Sequence, residues 1–193
     1  MDQGEVDFFR KEGINAKWLQ QGIDPIDNNR IGPREYEHDV SFLGNVNEFH
    51  EINCNRITLM AGLQKEFDIN IMKSVRRQKA SKVYYNTKVN IGNNLKFSCT
   101  KRCSSVRDFK IMGACGFLLT SYVEGIEDYF TPGVDLDIYH NTKECIEKVK
   151  FYLKHKNLRE KIAGTGYKKV HKLHKYSDRV KIIIDDYWKG KKK

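Results

Sequence analysis

The sequence has no apolar run that approaches the roughly 20 residues of a membrane-spanning helix. Its N-terminal stretch, MDQGEVDFFRKEG, is acidic and lacks the basic and then apolar layout of a signal peptide. Five cysteines are an odd number in a chain without such a leader, which argues against a disulfide framework. We therefore predict a soluble, cytoplasmic protein with reduced thiols.

A convincing zinc pattern is also missing. Cys99 and Cys103 stand four positions apart, but no second pair with the spacing of zinc ligands accompanies them. Reduced structural thiols explain these cysteines more simply than a metal site does. We expect neither a bound metal nor another cofactor.

The common nucleotide and hydrolase motifs are absent as well. The chain contains neither the dinucleotide motif GxGxxG nor the P-loop GxxxxGK[ST]. It also lacks the nucleophile elbow GxSxG. Dinucleotide, NTPase and serine-nucleophile chemistry therefore have no direct support from motifs.

The positive charge lies almost entirely in the last third of the chain. Residues 143–193 carry 17 Lys and Arg against 6 Asp and Glu, whereas the first 142 residues carry 18 against 19. This region also holds aromatic residues that suit base stacking: Tyr152, Tyr167, Tyr176, Tyr187 and Trp188. A nucleic-acid-binding module is therefore one hypothesis for the function of this region. The lysines alternate with helical apolar positions, which favours solvated helix faces. The aromatics lie mostly on the apolar helix faces, which favours core packing over base stacking.

Short apolar strands alternate with amphipathic helices along most of the chain. Strands are predicted at 38–45, 68–74, 88–92, 117–121 and 134–139, with a brief additional one within 14–25. Helices are predicted at 4–12, 55–67, 107–114, 142–155, 158–174 and 177–190, with a short acidic one at 125–130. This alternation predicts an α/β fold with a doubly wound parallel sheet that has helices on both faces.

In such sheets, ligands bind at the carboxyl ends of the strands. The strand ends here are rich in glycine: Gly44 after the first strand, Gly92 before Asn93, and Gly125 after the segment that follows Thr120. Glycine allows the backbone to approach a ligand closely, and a helix that starts there favours phosphate. From spacing alone, an ordinary strand-to-helix turn explains Gly125 equally well.

Several segments together resemble a known family. The run RDFKIMGACGFLLTSYVEGIEDYFTPGVDL starts at Arg107, and REKIAGTGY (159–167) and HKYSDR (174–179) follow. With INAKWLQQGIDP and YEHDVSFLGN near the start, these segments resemble the C-terminal half of a GT-B glycosyltransferase. The most similar pattern is that of the bacterial spore-maturation-type glycosyltransferases.

This resemblance implies a Rossmann-like domain that binds a nucleotide diphosphate sugar as donor and serves transfer of the sugar to an unknown acceptor. It also implies three parts. Residues 1–36 are the trailing element of an N-terminal domain with its linker, and residues 37–176 are the donor-binding domain. Residues 177–193 form a C-terminal helix with a basic tail. The apolar side of that helix implies a partner domain or a second copy. No catalytic residue is identified.

The resemblance also assigns residues to the donor site. Arg107 matches an arginine that stabilises the departing diphosphate, although an ion pair with Asp108 or Glu127 would explain it too. The loop that approaches the phosphates and the donor sugar matches Thr120, Ser121, Tyr122, Glu124 and Gly125. Glu127 matches an acidic position after this loop, and Gly44 and Asn93 match positions that line the cleft.

One departure concerns two positions where the family usually has glutamate. Lys110 replaces the carboxylate that accepts hydrogen bonds from ribose hydroxyls, and Arg102 stands at the second position. A lysine ammonium can only donate hydrogen bonds. The alternative to an enzyme is therefore a non-catalytic interaction domain that retains the fold.

Overall fold

The computed structural model describes residues 3–46, 54–94, 101 and 104–191. Within this part, five strands form one sheet: β1 (His38–Leu43), β2 (Ile69–Met72), β3 (Thr87–Ile91), β4 (Leu118–Ser121) and β5 (Asp137–Tyr139). The strand order is β2-β1-β3-β4-β5, and every adjacent pair is parallel. The predicted α/β fold with a parallel sheet is confirmed.

Helices cover both faces of this sheet. They are α1 (Gln3–Lys11), α2 (Cys54–Glu66), α3 (Arg77–Tyr85), α4 (Val106–Gly113), α5 (Thr142–Lys154), α6 (Lys156–Leu173) and α7 (Tyr176–Lys191). One apolar core packs α2 and α5 against the sheet, through residues such as Leu63 and Val149. A second core holds α3 and α4, through residues such as Tyr84 and Phe109. Because both faces are covered, most strand residues are buried, including polar ones such as Ser41 and Asn90.

The brief strand predicted within 14–25 is wrong. Ile23 makes only an isolated bridge to Lys175, in which the Ile23 amide donates to the His174 carbonyl at 2.8 Å. The segment therefore pairs with the connection between α6 and α7 instead of joining the sheet. Further along, the predicted acidic helix is a single 3₁₀ turn, Ile126–Asp128, which begins after Gly125 with φ 78°.

The division of the chain into 1–36, 37–176 and 177–193 remains a prediction. Helix α7 leaves its apolar side chains open to solvent. The most exposed of them are Val180, Ile182, Ile183, Ile184, Tyr187 and Trp188. No helix among the described residues is both long and apolar enough to cross a membrane.

His174, which belongs to the HKYSDR segment, is a buried packing residue. Its ring lies 5.4 Å from the ring centroids of both Phe109 and Phe130. Its Nδ1 accepts a hydrogen bond from Arg179 at 2.6 Å. Burial, reinforced by the charges of Arg179 and Lys169, lowers the pKa of His174 to about 4. This ring is therefore neutral in the folded protein at pH 7.

We expect acid to destabilise the protein through His174. The unfolded state binds a proton near pH 6.5 and the folded state only near pH 4, so stability falls as the pH drops between these values. Allowing for partial solvent screening, the loss should be about 2 kcal/mol. Urea unfolding of the wild type and of His174→Gln between pH 7 and pH 4 measures it. The control His155→Gln, at an exposed position, should keep the wild-type pH dependence of stability. If His174→Gln also keeps it, His174 is not the cause of the acid destabilisation.

Candidate functional site

The carboxyl ends of β1, β3 and β4 meet at one edge of the sheet. Gly44 follows β1, and Gly92 and Asn93 follow β3. Thr120 is the next-to-last residue of β4. A Cβ on Gly92 would stand 2.3 Å from the Thr120 Oγ1, so this position accepts only glycine. The strand ends approach one another closely here because Gly92 has no side chain.

Two arginines lie at this edge. The Arg107 guanidinium, from the first turn of α4, lies 4.6 Å from the Phe42 ring centroid, and that of Arg56, from α2, lies 5.4 Å from it. Arg56 donates to the side chain and the carbonyl of Asn93, at 3.1 and 3.2 Å, and to the Asn45 carbonyl at 3.0 Å. Arg107 donates to the Asn93 carbonyl at 3.4 Å. We call Arg56 and Arg107 the arginine pair.

Neither member of the arginine pair forms a salt bridge with a carboxylate among the described residues. The ion pair of Arg107 with Asp108 or Glu127, left open by the sequence, is not formed within the 4 Å limit of a salt bridge. Burial, and then the neighbouring Arg107 charge, lowers the pKa of Arg56 to about 10. Arg56 therefore remains cationic at neutral pH. Two adjacent guanidinium groups without a carboxylate suit a bound phosphate or diphosphate.

The buried side chain of Asp108 connects the residues at this edge of the sheet through hydrogen bonds. Its side chain is fully buried, and its Oδ2 accepts hydrogen bonds from Ser104 Oγ (2.7 Å), Asn94 Nδ2 (3.0 Å) and Thr120 Oγ1 (3.1 Å). Its Oδ1 has no hydrogen-bond partner in the described part of the chain. Burial raises the pKa of Asp108, against the opposing effect of these hydrogen bonds and of Arg107. One carboxyl oxygen thus ties α4 to the ends of β3 and β4.

The same network sets the position of the start of α4. The Asn94 amide donates to Ser121 Oγ at 2.8 Å, and Asn94 Oδ1 accepts from the Ser105 amide at 2.9 Å. Ser105 caps α4 by accepting from the Arg107 amide at 3.3 Å. These contacts hold Arg107 beside the strand ends, because its helix cannot slide without breaking them.

The outer part of the loop after β4 makes other contacts. The Tyr122 ring packs on His140 with centroids 4.9 Å apart. Glu124 is exposed and forms an ion pair with Lys101 at 3.8 Å, and Glu127 is exposed. The structure therefore brings Gly44, Asn93, Arg107, Thr120 and Ser121 together, and directs Tyr122 and Glu124 to separate neighbours.

Lys110 lies one helical turn after Arg107 and lines a cavity between α3 and α4. Arg102, the second departure from the family pattern, lies outside the described residues, as do Cys99 and Cys103. Sequence reasoning missed Arg56 and Ser104, and it noted Asn94 at the end of a strand without assigning it to the donor site. Two features of the sequence could have indicated Arg56 and Asn94. Arg56 is a single arginine among apolar positions in the helix that follows the Gly44 strand end, and Asn94 is the second asparagine after Gly92.

Comparison with known proteins gives a family and a fold. A model of the family described as "Glycosyl transferase-like" matches residues 29–185. No curated protein sequence matches the chain.

Among solved structures, sucrose-phosphate synthase from Thermosynechococcus elongatus matches with a TM-score of 0.69 at 10% identity, over 98% of this chain and 57% of that one. TarM matches with a TM-score of 0.66 at 8% identity, over 96% of this chain and 42% of that one. The C-terminal domain of a Francisella tularensis glycosyl transferase group 1 family protein matches with a TM-score of 0.59 at 10% identity, over 80% of this chain and 99% of that one.

These identities are so low that the likeness to solved structures shows the fold alone. The chain spans about half of the length of the first two proteins and nearly all of the isolated C-terminal domain. The sheet therefore corresponds to the C-terminal half of a GT-B fold. Because the family model covers most of its residues, the chain belongs to the glycosyl transferase-like family.

Proposed function

We propose that this chain is the donor-binding half of a glycosyltransferase, which transfers a sugar from a nucleotide diphosphate sugar to an acceptor. The observation that carries the proposal is the arginine pair, which lies without a carboxylate partner among the described residues at the carboxyl edge of the sheet. Ligands of open parallel sheets bind at this edge.

The arginine pair suits the chemistry of the transfer. When the sugar leaves, the diphosphate gains negative charge, and donors already fixed in place stabilise that charge without reorganising. Arg56 is held by Asn45 and Asn93, and Arg107 by the capped start of α4. In this proposal the two guanidinium groups, and no bound metal, neutralise the departing diphosphate.

Two proteins with similar folds support a nucleotide sugar as donor. Anabaena HepE, with a TM-score of 0.59, has been crystallised in complex with UDP-glucose. An S. aureus TarM mutant, with a TM-score of 0.63, has been crystallised with UDP. We propose the same class of donor here, with Thr120, Ser121, Tyr122, Glu124, Gly125 and Glu127 on the sugar side of the diphosphate.

The acceptor and the catalytic base belong to the rest of the proposed enzyme. GT-B active sites lie in a cleft between two domains, and this chain corresponds to one of them. We propose that a partner domain or a second copy covers the exposed apolar residues of α7 and completes the cleft. The alternative of a non-catalytic domain rests on Lys110 and Arg102, which stand where the family usually has glutamate.

Binding of nucleotide sugars tests the proposal. We expect one of UDP, GDP, ADP or dTDP, or one of their sugars, to raise the melting temperature of the chain. At 100 times its dissociation constant, the ligand adds about 2.7 kcal/mol, which corresponds to a shift of roughly 5–10 °C at this size. Arg107→Gln should weaken binding by about tenfold to a hundredfold, because a charged hydrogen bond is lost.

The matched control is Lys172→Gln, which removes one positive charge from an exposed position on α6. It should bind as tightly as the wild type. The proposal fails if no nucleotide or nucleotide sugar stabilises the wild type at millimolar concentration. It also fails if Arg107→Gln and Lys172→Gln bind equally well.

A further inference from the structure

A cavity of about 390 Å³ opens between α3 and α4. Its volume lies in the range of small-molecule sites, roughly 300–1,000 Å³. Its charged side chains and the Tyr84 phenol come from the two helices, from the residue before α3 and from the segment between α1 and β1: Asp24, Asp27, Arg76, Arg77, Tyr84 and Lys110. Of the residues assigned to the donor site, only Lys110 lines this space.

Three cationic side chains line the cavity: Arg76, Arg77 and Lys110. Within the described residues, none of them forms an ion pair with a carboxylate. Two carboxylates, Asp24 and Asp27, also line the space, and Asp24 Oδ1 already accepts a hydrogen bond from the Ile26 amide at 2.9 Å. Positive charge therefore exceeds negative charge around the cavity.

The start of α3 adds to this positive potential. Arg76 is the N-cap of α3, and its side chain makes no capping hydrogen bond. The amino end of a helix carries a partial positive charge that favours anions. This contribution supports the cationic side chains but would not define a site without them.

The cavity lies near Arg107, because Lys110, which lines it, is one helical turn after Arg107 in α4. Tyr84 lines it, and burial raises the pKa of this phenol to about 12 while the charge of Arg107 acts in the opposite direction. Arg107 is therefore near enough to influence the Tyr84 hydroxyl electrostatically. A neutral phenol can donate a hydrogen bond to an anion.

We propose that this cavity binds a second phosphate group, a phosphomonoester, beside the diphosphate held by the arginine pair. The inference deepens the proposed function, on which its link to the donor site rests. It also gives a chemical reason for Lys110: an ammonium at this position binds phosphate oxygens, which a carboxylate there would repel. The phosphate belongs either to the ribose of the nucleotide or to another molecule, such as the acceptor.

Titration of the isotope-labelled chain with inorganic phosphate, followed by backbone amide NMR, tests the site directly. We expect saturable shifts at residues 75–80 and at Lys110 in both the wild type and Arg107→Gln, which removes competing binding at the arginine pair. Lys110→Gln and Arg76→Gln should each weaken this binding by about tenfold, the loss expected for one charged hydrogen bond. The control Lys79→Gln removes an exposed charge of α3 that does not line the cavity.

The inference is overturned if phosphate leaves the amides of 75–80 unchanged, or if Lys110→Gln and Lys79→Gln bind phosphate equally well. Its failure is distinct from that of the proposed function. If nucleotide sugars bind through Arg107 but phosphate does not bind in the cavity, only this inference is overturned. Phosphate binding in the cavity without any nucleotide binding would remove the donor function alone.

A second comparison identifies the source of the phosphate. The nucleoside 5′-monophosphate whose base the chain binds best is compared with the corresponding nucleoside 3′,5′-bisphosphate, which differs from it by one phosphomonoester on the ribose. A gain in affinity for the bisphosphate that disappears in Lys110→Gln assigns the phosphate to the nucleotide. Equal affinities, together with phosphate binding in the cavity, assign it to a separate molecule.

Discussion

Replacing Gly166 by alanine should lower the free energy of unfolding by about 3 kcal/mol. A Cβ at this position of α6 would stand 2.3 Å from the backbone carbonyl oxygen of Asp135. Asp135 is held by its own contacts, since its carboxylate pairs with Lys169 and accepts from the Thr131 amide at 2.9 Å. Neither the helix nor the loop can move without breaking them, so the clash remains.

Gly164 provides the matched control in the same helix. A Cβ there meets no atom within 4 Å, and alanine is a better helix former than glycine by about 0.5–1 kcal/mol. Gly164→Ala should therefore raise stability slightly while Gly166→Ala lowers it strongly. Urea unfolding of both variants measures the difference. Equal effects would show that α6 does not pack as closely on Asp135 as the structure shows.

Replacing Asp108 by alanine should cost about 3 kcal/mol of stability and weaken donor binding as well. Ser104, Asn94 and Thr120 would each lose the buried acceptor that they share. The start of α4 would then lose its attachment to the strand ends, and Arg107 would lose its fixed position. Urea unfolding and nucleotide titration measure the two effects.

Asp108→Asn is the informative comparison, because it keeps an acceptor oxygen and removes the charge. It should lose less stability than the alanine variant. Since burial raises the pKa of Asp108, the carboxyl favours folding most at acid pH and less as the pH rises through its folded pKa. The asparagine variant should lack this pH dependence. If alanine and asparagine cost the same, the shared acceptor is not what holds the edge together.

The sequence predicts the sheet well because the evidence is local. Apolar runs such as FLLTS, bounded by turn residues and separated by amphipathic helices, are typical of buried parallel strands. All five main strands were predicted within a few residues of their observed bounds. The failure at 14–25 has a clear cause: Ile23 pairs with Lys175, about 150 positions away, and no local pattern predicts that contact.

The proposed donor site was only partly predictable. Gly44, Asn93, Arg107 and Thr120 follow from the rule that ligands bind at strand ends and from the family resemblance. Arg56 does not, because nothing near it in the sequence shows that α2 directs it over the Phe42 ring beside Arg107. Lys110 was recognised as a departure, but its place in a cavity with Arg76 depends on how α3 packs against α4.

By itself, the sequence determined the α/β class, the five strands of the sheet and their ends, because periodicity and turn residues are properties of neighbouring residues. Only the tertiary structure decided which charges meet. The arginine pair, the Asp108 network and the cationic cavity each join residues from different elements. Such contacts arise when parallel strands bring their carboxyl ends to one edge and the helices pack beside them.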